Sequence, residues 1–343
     1  MSEIRISFPK KAPLANTPTS LRLLERFSRK LGGPKIWLKN DDLTGFMCSG
    51  NKIRKLEYLV ADARSQKSNV LISCGGVQSN HCRAVAAVAA QEGMKCELIL
   101  RDDARLNCEP NGDGNLLLDR LFGADIHLYP INKYISQLDN LFVHHKKICI
   151  DRGDIPYAIS TGGSDEVGLW GYIDAAYELV NQFENSAINP EAIVCATGSA
   201  GTQAGLTVGC WLNQLHTKVF GIAVCDSSEY FLSKIKQDVN GWQTRYQEHI
   251  GYCSSIAEEI EINTLDNFIG PGYAKTYPEM IALLQELAKE EGVVLDPVYT
   301  GKAFYGMVQE IKNGVFQDME NIVFVHTGGG FGLFPFKNEF KFS

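Results

Sequence analysis

The chain opens without a hydrophobic rhythm. Pro9, Pro13 and Pro18 forbid a helix over residues 1–20, and Asn16-Thr17-Pro18-Thr19 has turn chemistry, so this stretch reads as an extended arm. The run LRLLERFSRKLG then predicts an amphipathic helix capped by Thr19 or Ser20 and ended by Gly32-Gly33. KIWLKNDD alternates as a strand from Ile36 to Lys39. The polar loop after it, DDLTGFMCSGNK, is long enough to suggest a functional role. From Lys52 onward helix and buried strand take turns. KIRKLEYLVADARSQ puts Ile53, Leu56, Leu59 and Val60 on one helical face, and NVLISCGG is a short strand ending in glycines. HCRAVAAVAAQEG predicts a helix closed by Gly93, KCELILRDD a strand, GNLLLDRLFG a helix, ADIHLYP a strand and residues 132–152 a longer helix. The alternation resumes with EVGLWGYIDAAYELVNQF, AIVCATG, TQAGLTVGCWLNQL and KVFGIAVCD. Residues 226–270 are polar and irregular, predicting two helices and a loop. PEMIALLQELAKEEG and TGKAFYGMVQEIKNG are amphipathic helices, and NIVFVHTGGG is a final buried strand. Strands of unbroken Val, Ile and Leu separated by such helices mean parallel sheet covered on both faces: an α/β fold.

Composition narrows the function classes. A length of 343 residues suits two domains of ordinary size. A formal net charge of −7 argues against a nucleic-acid binder, which needs a basic face, while leaving room for a small cationic pocket. No apolar run is long enough to span a bilayer, so no membrane is expected. The first residues lack the charged-then-apolar order of a secretion signal, so the cytoplasm is the expected location. The cysteines (Cys48, Cys74, Cys82, Cys96, Cys108, Cys149, Cys195, Cys210, Cys225, Cys253) form no Cys-x-x-Cys pair and mostly sit in apolar runs, as reduced structural thiols do. The histidines show no ligand spacing, His144 and His145 being neighbours that point apart on a helix, so no metal is expected.

Candidate chemistry gathers where strands end. In open parallel sheets ligands bind at the carboxyl ends of strands, and CGGVQSNH, ATGSAGTQAG, DPVYTGK and HTGGG all fall there. Lys52 follows Gly50-Asn51 at a helix start, whose positive end favours the neutral amine that Schiff-base chemistry needs; Lys55 follows one turn later. The small residues of the loop Thr197, Gly198, Ser199, Ala200, Gly201 and Thr202 let backbone N–H groups converge on an anion. The loop has neither the Walker Gly-Lys-Ser/Thr nor the full G-x-G-x-x-G, so a phosphate monoester fits it best. Ser79 and Asn80 stand at a helix start able to hold a carboxylate. Tyr273, Tyr299, Thr300 and Thr327 are loop groups able to stack on a flat ring or to donate hydrogen bonds. Each has a plainer reading as well: a solvated lysine, a tight turn, a helix cap, a rim aromatic. Together, a lysine, a phosphate cradle and a carboxylate cradle are the equipment of a pyridoxal-phosphate (PLP) enzyme acting on a small amino acid.

The ordered motifs GNKIRKLEYL, GGVQSNHCRAVA, GSAGTQAGL, GPGYA, DPVYTGKA and HTGG resemble the PLP-dependent D-cysteine desulfhydrase and 1-aminocyclopropane-1-carboxylate (ACC) deaminase family over residues 8–335. The resemblance implies two doubly wound parallel-sheet domains of the tryptophan-synthase-β type, fold type II. It gives a large domain of residues 1–55 and 167–343 and a small inserted domain of residues 56–166, in a homodimer with PLP in the cleft. It implies that Lys52 binds PLP covalently, and that Lys55 and residues Thr197 to Thr202 hold the phosphate. Asn80 would bond the ring's 3′-oxygen. Ser79, Asn80 and His81 would lie beside the substrate carboxylate, Tyr299 would stack on the ring and Tyr273 would approach the substrate. Two departures from the deaminase pattern matter. Tyr299-Thr300-Gly301-Lys302 stands where deaminases resemble Tyr-Glu-Gly-Lys, leaving Thr327 to face the ring nitrogen; and His81 replaces a glutamine, with a longer phosphate loop. A hydroxyl makes the ring a weaker electron sink than a carboxylate does. The expectation is therefore β-elimination of D-cysteine to pyruvate, ammonia and hydrogen sulfide, ahead of ring opening of ACC or elimination from a substrate such as L-cysteate. An NAD-type dehydrogenase and a non-catalytic phosphometabolite sensor are the alternatives from other classes.

Overall fold

The computed structural model describes residues 6–103 and 112–342, and in these the strands fall into two sheets. In chain order the strands are β1 (Leu21–Leu23), β2 (Lys35–Lys39), β3 (Val70–Gly76), β4 (Lys95–Asp102), β5 (Asp125–Pro130), β6 (Pro156–Ala158), β7 (Ala192–Thr197), β8 (Lys218–Ala223), β9 (Asn263–Leu265) and β10 (Asn321–Val325). The helices of the first half are α1 (Glu25–Leu31), α2 (Asn51–Ser65), α3 (Asn80–Gln91), α4 (Gly114–Leu121), α5 (Ile131–Asp151) and α6 (Trp170–Ser186). Those of the second are α7 (Gly201–Leu212), α8 (Ser228–Arg245), the single turns α9 (Gln247–Ile250) and α10 (Ile256–Glu259), α11 (Pro278–Glu291) and α12 (Thr300–Lys312). One sheet runs β1-β2-β10-β7-β8-β9, the other β5-β4-β3-β6. Every pairing is parallel except β1 with β2. Strands β7 and β10 are buried along their whole length, which is why they read as unbroken apolar runs.

The first predicted helix starts late. Leu21–Leu23 pairs with the edge of β2, and α1 begins only at Glu25. Thr19 and Ser20 do not cap it: the Thr19 hydroxyl donates to Asp41 at 2.7 Å and that of Ser20 to Asn40 at 3.2 Å. A leucine run satisfies either period, and the open ladder of β2 decides between them. The three-residue strands β6 and β9 carry no period of their own and do not stand out in the sequence. The cysteines among the described residues are all free and mostly buried; Cys108 lies outside them. Among the described residues no helix is long and apolar enough to cross a membrane.

Close helix packing brings the functional strand ends and helix starts together. A Cβ on Gly171 of α6 would lie 2.5 Å from the carbonyl carbon of Arg54, and one on Gly209 of α7 would lie 2.4 Å from the Ala176 Cβ. Glycine at these points lets α2, α6 and α7 touch backbone to backbone, which places the starts of α2 and α7 side by side. Arg54 of α2 completes the join through a buried network. Its guanidinium donates twice to Asp41 at 2.8 Å and also to Glu178 of α6, which in turn receives the ammonium of Lys39.

Candidate active site

Three strand ends and their turns build the site. Beyond β3, the Ser79 hydroxyl caps α3 by accepting the Cys82 N–H at 3.2 Å. A Cβ on Gly75 would meet that oxygen at 2.6 Å, so the strand must end in glycine there. Beyond β7, Ala200 takes φ +69° and turns the chain into α7. Beyond β10, Gly328 lies against Gly50, and the Thr327 carbonyl accepts the N–H of Asn51 at 3.1 Å, pinning the start of α2. Between these turns opens a cavity of about 760 Å³, lined by residues from both sheets. That is an ordinary size for a small-molecule site.

Lys52 reaches into this cavity from the first turn of α2. Its Nζ lies 3.4 Å from the carbonyl oxygen of Gly162. A Cβ on Gly162 would come within 3.1 Å of Nζ and 2.3 Å of the Ser199 Oγ, so only glycine leaves the amine room. Burial pushes the Lys52 pKa down to about 8. Lys55, one turn on, is fully enclosed, and burial together with the charge of Lys52 drives its pKa well below the usual lysine value. It donates to the Ser164 hydroxyl at 3.0 Å; that hydroxyl also meets Ser199 Oγ at 2.9 Å and accepts the Gly201 N–H at 3.2 Å. Among the described residues, neither lysine has a carboxylate within ion-pair distance. Two buried amines beside a helix N-terminus, neither held in an ion pair, form a site for a multiply charged anion.

Across the cavity, Tyr273 and Tyr299 share a hydroxyl–hydroxyl hydrogen bond of 2.5 Å, their rings edge to face at 5.9 Å. Arg101 of β4 lies 4.7 Å over the Tyr273 ring. Burial raises the pKa of both phenols, keeping them as neutral donors. The buried His81 ring sits 2.8 Å from the Ser73 hydroxyl, and burial with the charges of Lys52 and Lys55 drives its pKa well below the ordinary value, so it is neutral.

Of the residues singled out in the sequence, Lys52, Ser79, Asn80, His81, Gly198, Ser199, Ala200, Thr202, Tyr273, Tyr299 and Thr327 line the cavity. Lys55, Gly201 and Thr197 stand behind that lining; the Thr197 hydroxyl donates to Gln203 at 2.7 Å instead. Thr300 is also turned away, its hydroxyl donating to Asp296 at 2.7 Å. Sequence reasoning missed Gly162, Ser164, Asp296 and Arg101. The pair Gly162-Gly163 before Ser164 was the available signal, a glycine turn of the kind that follows β3 and β10. Asp296 accepts the N–H groups of Val298, Tyr299 and Thr300 at 2.9 Å each, and so holds the start of α12 and the Tyr299 ring in place.

The model of the pyridoxal-phosphate dependent enzyme family matches residues 12–328. The chain belongs to this family. Its relatives among PLP enzymes include the Arabidopsis thaliana bifunctional D-cysteine desulfhydrase/1-aminocyclopropane-1-carboxylate deaminase, 39% identical over 88% of this chain and 74% of that protein. The D-cysteine desulfhydrase of Klebsiella pneumoniae is 36% identical over 96% of each. A crystal structure of an ACC deaminase homologue superposes with a TM-score of 0.80 at 33% identity, covering 93% of this chain and 92% of that one. The fold is thus the α/β fold type II of PLP enzymes, which act on small amino acids, and the dehydrogenase alternative is set aside. The residues present fit PLP. Lys52 would supply the amine, Lys55 and the α7 N-terminus would supply the positive end for a phosphate dianion, and Tyr299 would offer an aromatic face beside Gly198, whose added Cβ would lie 3.1 Å from that ring.

Proposed function

We propose that this enzyme eliminates the β substituent of D-cysteine, giving pyruvate, ammonia and hydrogen sulfide. The observation that carries the reading is the opposition across one cavity of a buried, low-pKa Lys52 to Ser79 at the α3 cap and the Tyr273–Tyr299 pair. When bound, PLP supplies an electron sink conjugated to the substrate's α-carbon. The start of α3 receives the substrate carboxylate through the Ser79 hydroxyl and the Asn80 amide, whose oxygen is already committed to Asn115 at 2.8 Å and whose NH₂ is left to donate. Lys52 takes the α-proton as a neutral amine, and Ser79 or the Tyr273 hydroxyl assists its return. The neutral phenols beside Arg101 face the departing sulfur. Thr327 at the cavity wall would offer its hydroxyl to the ring nitrogen, and Asp296, which also lines the wall, has both oxygens engaged in holding α12. The weaker sink suits loss of a good leaving group better than opening of a cyclopropane. ACC ring opening is the second reading, favoured by the double name of the Arabidopsis relative.

The cavity lining draws on Phe142 and Lys146 of α5 and on Tyr230 and Lys234 of α8, which supports a mobile unit of residues 56–166 closing on the rest to exclude water. A homodimer in the cytoplasm, away from membranes, completes the proposal; of these, the dimer rests on the resemblance alone. A panel of D-cysteine, L-cysteine, ACC and D-serine tests it by keto-acid release. Pyruvate with sulfide from D-cysteine should exceed 2-oxobutyrate from ACC, and the reverse order would overturn the assignment. Lys52→Ala should abolish both turnover and the visible cofactor absorbance.

A further inference from the structure

A second cluster of ligating groups lies away from the cavity, where α5 covers one face of the smaller sheet. The register pairs Glu97 with Asp125 and Ile99 with His127, so the side chains of Glu97 and His127 project from the same face on adjacent strands. His145 and Cys149 come down onto that face one helical turn apart on α5, and both are buried. The Nε2 of His127 is 2.7 Å from Oε2 of Glu97, the Nδ1 of His145 is 3.7 Å from the same oxygen, and one ligand atom from each of the three residues lies within 4.8 Å of the others.

The Nδ1 of His145 is the decisive atom. His145 is 2% exposed, yet among the described residues its Nδ1 has no hydrogen-bond partner and is aimed at a carboxylate too distant to accept from it. The other ring nitrogen is satisfied by the Tyr129 hydroxyl at 2.9 Å, which fixes the ring and leaves Nδ1 facing the cluster. Arg152 holds the opposite oxygen, Oε1, of Glu97, so Oε2 alone is turned toward the two imidazoles. Outer groups that orient each donor in this way are the usual surroundings of a metal ligand. With bonds of roughly 2.0–2.2 Å, the donors of a tetrahedral zinc site stand about 3.3 Å apart. The observed 2.7 and 3.7 Å straddle that separation, and a ligand atom from each residue lies within 4.8 Å of the other two.

We propose that Glu97, His127 and His145 bind a divalent transition-metal ion, zinc by preference, with the fourth position open to water. Two imidazoles and one carboxylate select zinc over calcium or magnesium, which prefer all-oxygen sets. His127 is about one-third exposed on the edge strand β5 and gives the ion its route in. The ion would tie β4 and β5 to α5, the helix whose other residues line the cavity. No spacing in the sequence displays this set, because its three members come from three separate elements.

The test uses the PLP-loaded enzyme in a Cys253→Ser background, which removes the exposed thiol as a competing zinc ligand. The protein is stripped with a chelator and titrated with Zn²⁺ against a chromophoric competitor. One zinc per chain should bind, with a rise in melting temperature. His127→Ala, which lies outside the cavity lining and should turn over substrate normally, should weaken zinc at least tenfold and cancel the thermal shift. Absence of stoichiometric zinc, or equal affinity in the wild type and His127→Ala, overturns the site. If His127→Ala loses turnover as well, His127→Gln, which keeps a polar side chain on the edge strand, takes its place with the same required loss of zinc.

Discussion

A lysine with an ordinary pKa of about 10.4 is neutral at pH 7 in roughly one molecule in a few thousand. The burial that brings Lys52 to about 8 raises that share to roughly a tenth, before any substrate or cofactor arrives. The position at the start of α2 is what the sequence displays; the larger influence is desolvation, supplied by the Gly162 turn and by Ser199, which come from elsewhere in the chain. The consequence is measurable on cofactor-free protein. A small amine-selective reagent should modify Lys52 with a midpoint near pH 8, well below the exposed lysines, when peptides are quantified by mass spectrometry. Loading with PLP should protect it. A Lys52 midpoint that coincides with those of the exposed lysines would show that burial does not set its reactivity.

At the level of elements, the site depends on how closely α6 approaches α2, and Gly171 is the point of contact. A methyl group there would stand 2.5 Å from the carbonyl carbon of Arg54 and 2.6 Å from the N of Lys55. Backbone cannot rotate aside as a side chain can, so Gly171→Ala should cost about 1–3 kcal/mol in denaturant unfolding. It should also lower retained PLP, since α2 carries both Lys52 and Lys55. Lost stability with full PLP content would separate the helix contact from the site. The same contrast between local pattern and distant contact governs how much the sequence displays. Strands such as β7 and β10 were legible because burial on all sides makes them apolar throughout, and the strand-end turns were legible because glycine and small polar residues gather there. β6 and β9 are held by their neighbours, not by their own composition, and the leucines of β1 fit a helix equally well until β2 is beside them. Ser164 was marked only by the glycine pair before it, and Asp296 did not stand out, for a related reason. One becomes a hub only once the β6 turn meets α7, and the other has its role through backbone N–H groups that every sequence possesses.

Over the whole molecule, the buried network around Arg54 joins the N-terminal arm, the turn after β2, α2 and α6. Its acid response follows from Asp41. Burial alone would raise that carboxyl's pKa, but the charge and hydrogen bonds of Arg54, helped by Lys39 and the Tyr172 hydroxyl, outweigh it and hold Asp41 at about 2. An unfolded chain takes up the same proton near pH 4. As pH falls, the unfolded state therefore protonates first, so the contribution of Asp41, about 2 kcal/mol, is whole above about pH 4 and is lost as pH approaches 2. Glu178 is also held below its ordinary value, with Arg54 and Lys39 beside it overcoming its own burial, so the wild-type curve alone mixes two groups. Comparison with Asp41→Asn separates them, because Glu178 remains in both proteins while asparagine imitates the protonated carboxyl at every pH. Unfolding free energies measured from pH 6 to pH 2 should show a wide gap between the two proteins that narrows through this window. Parallel curves would mean that the ionised carboxylate of Asp41 contributes nothing, and that the elements around α2 are joined by packing alone.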